Sequence, residues 1–393
     1  MAIYYIQHRQ DSKIGAGTGS DPFNGNEFDY AITEIKKQQG YDVPVTIKIG
    51  EGVFPTIGFA PAKNWTIRGK GMRKTTLKLK NVESHSFHHP DVYIISTAWY
   101  GGADPAWAEN IIVSDMTLNC NWLGQSEKHT KYVKFAGVHA LCTKGIVERV
   151  RVINWGSNGV EGFHNEVFPI TLGTYSDEGT HVLIQDCIVE KQFQYQGGYG
   201  TAINVVTTQP DAGDRIPWNT RKSRAALVRR NKAYGIYGHG FGCGHTENAV
   251  FENNVAIDSK SGFNCDTGLN RNVEFRRNAF VHCVQGIHSG NMWGGGFANF
   301  LIEDNDFHVT EKWLNVWSDP KVSEHSYGVR LGGNTKGFRV RRNSFKCLKN
   351  PKTLAEGSYG VGTASDSDIG FEFTDNEFVG FTDEVVLKAP VHL

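Results

Sequence analysis

Three stretches, ALVRRNKAYGIYGH (226–239), AVFENNVAIDSKSGFNCD (249–266) and VEFRRNAFVHCVQGIHSG (273–290), repeat one pattern. Each runs an alternating apolar strand into Asn, adds a second apolar pair, and closes on Gly followed by Ile or Phe. Asn231, Asn254 and Asn278 anchor these copies. The frame continues at Asn305 in FLIEDNDF, Asn343 in FRVRRNSF and Asn376 in FEFTDNEF. Looking backward it recurs at Cys187 in VLIQDCIV, Val150 in VERVRV and Met116 in IIVSDMTL, which makes about nine coils of a repeat architecture.

The step between anchors varies from 23 to 44 residues, which excludes a helical solenoid of constant period. Period-two alternation puts Val, Leu, Ile and Phe on one side of each strand and Arg, Glu, Gln and Thr on the other. A single coil cannot bury its apolar side, so successive coils must stack, and parallel strands joined by crossovers take the right hand. Asn at one point of every coil suits a bend, where its side chain bonds the backbone and tolerates left-handed φ.

The pattern resembles the right-handed parallel β-helix of the pectate lyase-like superfamily. The expectation is an all-β, single-stranded solenoid in one domain, 1–393. Its parts are an N-terminal loop and capping helix (1–45), coils with long loop insertions (46–380) and a C-terminal tail (381–393). In the first part Phe28, Ala31, Ile32 and Ile35 share one helical face and Gly40 is a stop; such a helix covers the open first coil. GKGMRK (69–74) lacks the spacing of a phosphate loop and reads as a turn.

Lys plus Arg equals Asp plus Glu at 41 each, for a net charge of zero, so no nucleic-acid footprint is present. The seven Cys form no CxxC pair, which excludes a zinc ribbon or a redox motif; Cys187 and Cys265 fall at core positions. No apolar run approaches a membrane span and the chain opens without a leader pattern. By analogy with β-helix proteins an extracellular or periplasmic site is expected, as a monomer, or a trimer if the organisation is tailspike-like.

Aligning the last strand of each coil gives GVHAL, GVEGF, AINVV, GIYGH, GFNCD, GIHSG and GVRLG. One outward column then reads His139, Glu161, Asn204, Tyr237, Asn264, His288 and Arg330. Two residues on, a second column holds His239 and Asp266, so these two are expected side by side. His, Tyr, Asn, Asp and Arg, with flanking glycines that leave the surface open, suit binding and proton transfer better than solubility.

Removing the C5 proton of a uronic acid needs a base, a group that neutralises the carboxylate, and a second proton-transfer group. His239 oriented by Asp266 is the candidate base and Tyr237 the second group. Asn264, His288 and Arg330 are candidates to hold the substrate carboxylate, Arg offering a bidentate clamp. Asn204, Glu161, His139 and Trp293 complete the candidate binding face, and Trp99, Trp107, Trp122, Tyr195, Tyr199 and Trp218 in the long insertions are candidate sugar platforms. The β-helix resemblance implies a polysaccharide partner, and the expected reaction is its cleavage by β-elimination, with uronate C5-epimerisation, which shares the first proton abstraction, as an alternative.

The alternative of hydrolysis needs two carboxyls at the separations glycosidases use. Glu161 and Asp266 are too far apart, so loop acids such as Glu166, Asp177, Glu178, Asp211, Asp214 or Asp258 would have to serve. A non-catalytic glycan-binding or tailspike-like module is the other alternative. His239, Asp266 and His288, with His245, also match the mixed donors of a transition-metal site, so a divalent metal stays open; no other cofactor is indicated. Tyr234-Gly235-Ile236-Tyr237-Gly238-His239 resembles the catalytic Tyr-Gly-Phe-Asp-Pro-His motif of mannuronan C5-epimerases. It keeps the first Tyr, the Gly and the His, while Tyr237 and Gly238 replace Asp and Pro.

Overall fold

A computed structural model describes residues 1–81, 91–97, 109–126, 134–158, 166–173, 182–195, 199–206, 226–244, 246–267, 270–289, 297–310, 325–332, 335–348, 357–363 and 370–386. The chain divides into two compact units, Met1–Tyr175 with His181–Gly200, and Ser176–Thr180 with Thr201–Leu393.

In the first unit, alternating strands stack in parallel and in register. One row runs from Tyr4 through Ile47, Ile67, Val113 and Val147 to Ile184, and every side chain in it is buried. Burying one apolar residue at the same level of each coil makes a continuous core from segments that could not fold alone. The helix Phe28–Gln39 closes one end, burying Phe28, Ala31, Ile32 and Ile35. Phe28 packs on Phe54 and Phe59 at ring separations of 6.2 and 5.7 Å. Gly40 ends the helix at φ 71°, a conformation that favours glycine. At Gly69–Lys74 the chain makes the expected turn, with the Lys70 N–H donating to Thr75 Oγ1 at 2.8 Å.

The second unit repeats the same coil more regularly. Its first strands carry the buried row Val228, Phe251, Phe275, Ile302 and Val340. At the following bend the six anchor asparagines form a ladder. Each Nδ2 of Asn231, Asn254, Asn278, Asn305 and Asn343 donates to the next Oδ1 at 3.0 Å. That Oδ1 also accepts the previous anchor's backbone N–H, so one amide satisfies two buried donors.

One detail of the bend differs from the expectation. The left-handed residue is the one before each anchor: Arg230, Asn253, Arg277, Asp304, Arg342 and Asp375 all have φ near 55°. The anchor itself turns inward to make the ladder, and the exposed residue ahead of it takes the strain. In the first unit the same step falls at Asp115, Arg149 and Asp186, directly before Met116, Val150 and Cys187. Asn248, Asn272 and Asn299 form a second ladder, themselves left-handed, linked at 2.9 and 3.2 Å.

All seven cysteines are buried thiols outside any disulfide. Burial pushes the thiols of Cys142, Cys187 and Cys283 up to about 12, which makes them packing residues.

Candidate functional site

The last strands of the second unit position the candidate side chains. They are 201–206, His239–Gly244, Ser261–Thr267, Gln285–Ser289, His325–Leu331 and Gly357–Thr363. Two rows cross them. One reads Thr201, His239, Ser261, Gln285, Tyr327 and Tyr359; the other reads Asn204, Gly242, Asn264, His288, Arg330 and Gly362.

Between these rows, strict alternation fails. A Cβ built on Gly262, Gly286, Gly328 or Gly360 would strike Phe280, Phe307, Phe345 or Phe378 at 2.1 to 2.4 Å. Those rings form a core stack with centroids 4.6 to 5.3 Å apart. The next residue also faces the core, since Phe263 packs edge-on against Phe251 and Phe275. Two successive inward residues bend the strand, so positions three apart share the outer side. The Arg330 guanidinium accordingly lies over the Tyr327 ring, 5.6 Å from its centroid. The expected role of these glycines is therefore corrected: they face the core and admit the phenylalanine stack instead of opening the surface.

The register also corrects the expected neighbours. His239 opens its strand opposite Ser261, five residues before Asp266, about 16 Å along an extended strand. Asp266 therefore does not flank His239. Gly242, not Tyr237, occupies the row of Asn264 and His288; Tyr237 sits half-buried in the bend ahead of the strand. Both differences have one cause: the core-facing glycine of that coil is Gly240 and not Gly235, and a Cβ on Gly240 would meet Ala256 at 2.5 Å.

His239, His288, Lys260 and Arg330 are electrostatically coupled. Burial above all, together with the positive charges of Arg330 and Lys260, lowers the His288 pKa to about 3. Burial likewise holds His239 well below the usual imidazole range, helped by Lys260 and His288. Both imidazoles are thus neutral at neutral pH. Burial lowers the Arg330 pKa while the Tyr327 ring opposes that shift, and burial raises the Tyr237 phenol. Among the described residues, no ion pair reaches Arg330 or His288. Asn264 is 5% exposed and, among the described residues, its Oδ1 meets no donor.

Asn204 lies in the row as expected, opposite Gly242. His139 belongs to the first unit, in the row Ser96, His139, Thr171, with its ring 5.0 Å from that of Tyr93. Thr171 holds the place in that row expected for Glu161. Trp122 is no sugar platform: it is buried and edge-on to Phe135. Of the loop acids, Asp258 is exposed and paired with His282 at 3.2 Å. Glu161, Trp293, Trp99, Trp107, Trp218, Asp177, Glu178, Asp211, Asp214 and His245 lie outside the described residues, as do the side chains of Asp266, Glu166, Tyr195 and Tyr199. Among the described residues, no three His, Cys, Asp or Glu side chains gather where a metal ion could be held, and no helix is long and apolar enough to cross a membrane.

Sequence reasoning missed Lys260, Tyr327 and Tyr359. A signal for the tyrosines existed, since Ser326-Tyr327-Gly328-Val329 recurs as Ser358-Tyr359-Gly360-Val361.

No family model matches the chain, and no curated protein does. Solved structures do. The A-module of the mannuronan C-5 epimerase AlgE6 of Azotobacter vinelandii is 17% identical over 92% of each chain, with a TM-score of 0.53. PfbA, a surface adhesin of Streptococcus pneumoniae, is 11% identical over 91% of this chain and 86% of its own, at 0.56. A mannuronic acid specific polysaccharide family 6 lyase from human gut microbiota is 11% identical over 100% and 89%, at 0.51. The likeness shows the fold, a right-handed parallel β-helix. At these identities the likeness concerns the β-helix itself, and function has to be argued from the site.

Proposed function

We propose that this β-helix protein is a polysaccharide lyase that cleaves uronate-containing chains by β-elimination. The supporting observation is the cluster on one outer face: two neutral imidazoles, His239 and His288, beside the cationic Arg330 and Lys260. Arg330, which no ion pair reaches among the described residues, favours an anionic ligand. In this reading Arg330 and Lys260 bind the C6 carboxylate of the sugar, which acidifies the C5 proton.

His239 accepts that proton. The electron pair forms the C4–C5 double bond as the C4–O bond breaks, and Tyr237, kept protonated by burial, protonates the leaving oxygen. The bound carboxylate also cancels the field of Lys260 that holds His239 down, so substrate raises the basicity of its own base. A hydrolase is disfavoured because the described parts of both rows supply no carboxyl pair at the spacing hydrolysis needs. The natural setting of such an enzyme is extracellular or periplasmic, where its polysaccharide partner lies.

The test is ultraviolet absorbance of the conjugated product on a panel of polyuronates, with reducing ends followed in parallel. Wild type should produce both signals, and His239→Ala should produce neither. Reducing ends without absorbance would overturn elimination in favour of hydrolysis. Binding without either signal would leave a glycan-binding module.

A further inference from the structure

We propose that Tyr327, backed by Tyr359, is the positioning residue that holds the Arg330 guanidinium flat and thereby selects a charged carboxylate over its neutral ester. The inference rests on the reading of this face as a uronate site. Its geometry lies wholly within the second unit.

Arg330 and Tyr327 are three residues apart on one strand, which ordinarily puts side chains on opposite faces. The two inward residues between them, Gly328 and Val329, bring both to the same side, with the guanidinium 5.6 Å from the ring centroid. A cation over an aromatic face is attracted by the ring quadrupole, and a stacked guanidinium keeps its edge N–H groups free for a bidentate carboxylate. Tyr327 is itself held, 5% exposed and stacked on Tyr359 at 5.2 Å and 27°. The coil beyond leaves room for this: Gly362 is the register partner of Arg330, and a Cβ there would lie 2.7 Å from Tyr327 Cε1.

An unsupported arginine samples many rotamers and pays that entropy on binding. A stacked one is preorganised, and the benefit falls on the ligand that makes both N–H···O bonds. A methyl ester presents no anionic oxygen pair and gains little. Tyr327 therefore sets the ratio of the two affinities, whereas a residue with a purely structural role would change both together.

The experiment measures binding of trigalacturonate, trimannuronate and their methyl esters by calorimetry, with urea midpoints recorded for every protein. Wild type should prefer an acid oligomer to its ester by about tenfold or more, the worth of a charge-assisted pair. Tyr327→Phe keeps the ring and should stay within about twofold of wild type. Tyr327→Leu should weaken the acid about 5- to 30-fold, the range of a partly buried cation–π contact, and leave the ester unchanged. Gly362→Ala, which displaces the ring without touching either partner's identity, should move the ratio in the same direction.

Equal loss of acid and ester in Tyr327→Leu would overturn the proposal, as would an unchanged ratio or a wild type with no acid preference. Elimination is tested separately by the ultraviolet assay. Acid selectivity that depends on Tyr327 without unsaturated product would sink the lyase reading and leave this inference standing.

Discussion

At the residue scale the site turns on charge in a desolvated place. His288 is neutral in the fold, with a pKa near 3, and titrates near 6.5 once unfolded. Between those values the unfolded chain binds more protons, so stability rises with pH across that window and is lost as pH falls from about 6.5 toward 3. Thermal melts should therefore show a steep acid limb in wild type and a shallower one in His288→Gln; identical limbs would mean that folding does not shift the His288 titration. Arg330→Lys keeps the charge but loses the planar fork, so it should raise KM about tenfold with kcat little changed. Steady-state kinetics on the best polyuronate decides this, and a fall in kcat alone would argue that the planar fork, and not only the charge, is needed to acidify the C5 proton.

At the element scale the ladder makes the bend. Asn278 accepts the backbone and side-chain N–H groups of Asn254 and donates to Phe251 O and Asn305 Oδ1. Asn278→Ala removes that amide and leaves two buried donors unmet, for a loss of about 2–4 kcal/mol in urea unfolding. Asn376 sits at the half-buried end of the ladder, so Asn376→Ala should cost about 1 kcal/mol. Equal costs would show that the ladder is not cooperative with burial. The glycine row obeys a different rule. Gly286→Ala drives a methyl group into Phe307 and the Gly328 carbonyl and should destabilise by about 1–3 kcal/mol or more.

At the scale of the whole molecule the balance of charge matters. Formal net charge is zero, so long-range attraction of an anionic polymer is weak and binding depends on the local cluster. The Debye length is about 10 Å at 0.1 M salt, so KM for a polyuronate should rise with salt through Arg330 and Lys260 alone. In Arg330→Gln the slope of log KM against log salt should fall clearly below that of wild type; an unchanged slope would place the anion elsewhere on the protein.

The repeat itself was legible because every coil solves the same problem with the same residues. Apolar alternation and a recurrent anchor determine parallel stacked strands, and the helix Phe28–Gln39 was visible from its one buried face and its glycine stop. Candidate residues His239, Asn264, His288 and Arg330 were legible as a concentration of uncommon types on one strand of each coil. Their mutual placement was decided only by the tertiary structure. A pattern of period two cannot report that two successive residues, Gly262 and Phe263, both turn inward to receive the phenylalanine stack. That bend sets the register in which His239 faces Ser261 instead of Asp266, and it brings Tyr327 beneath Arg330. Sequence determined which residues each coil offers; side-chain packing between coils decided which of them meet.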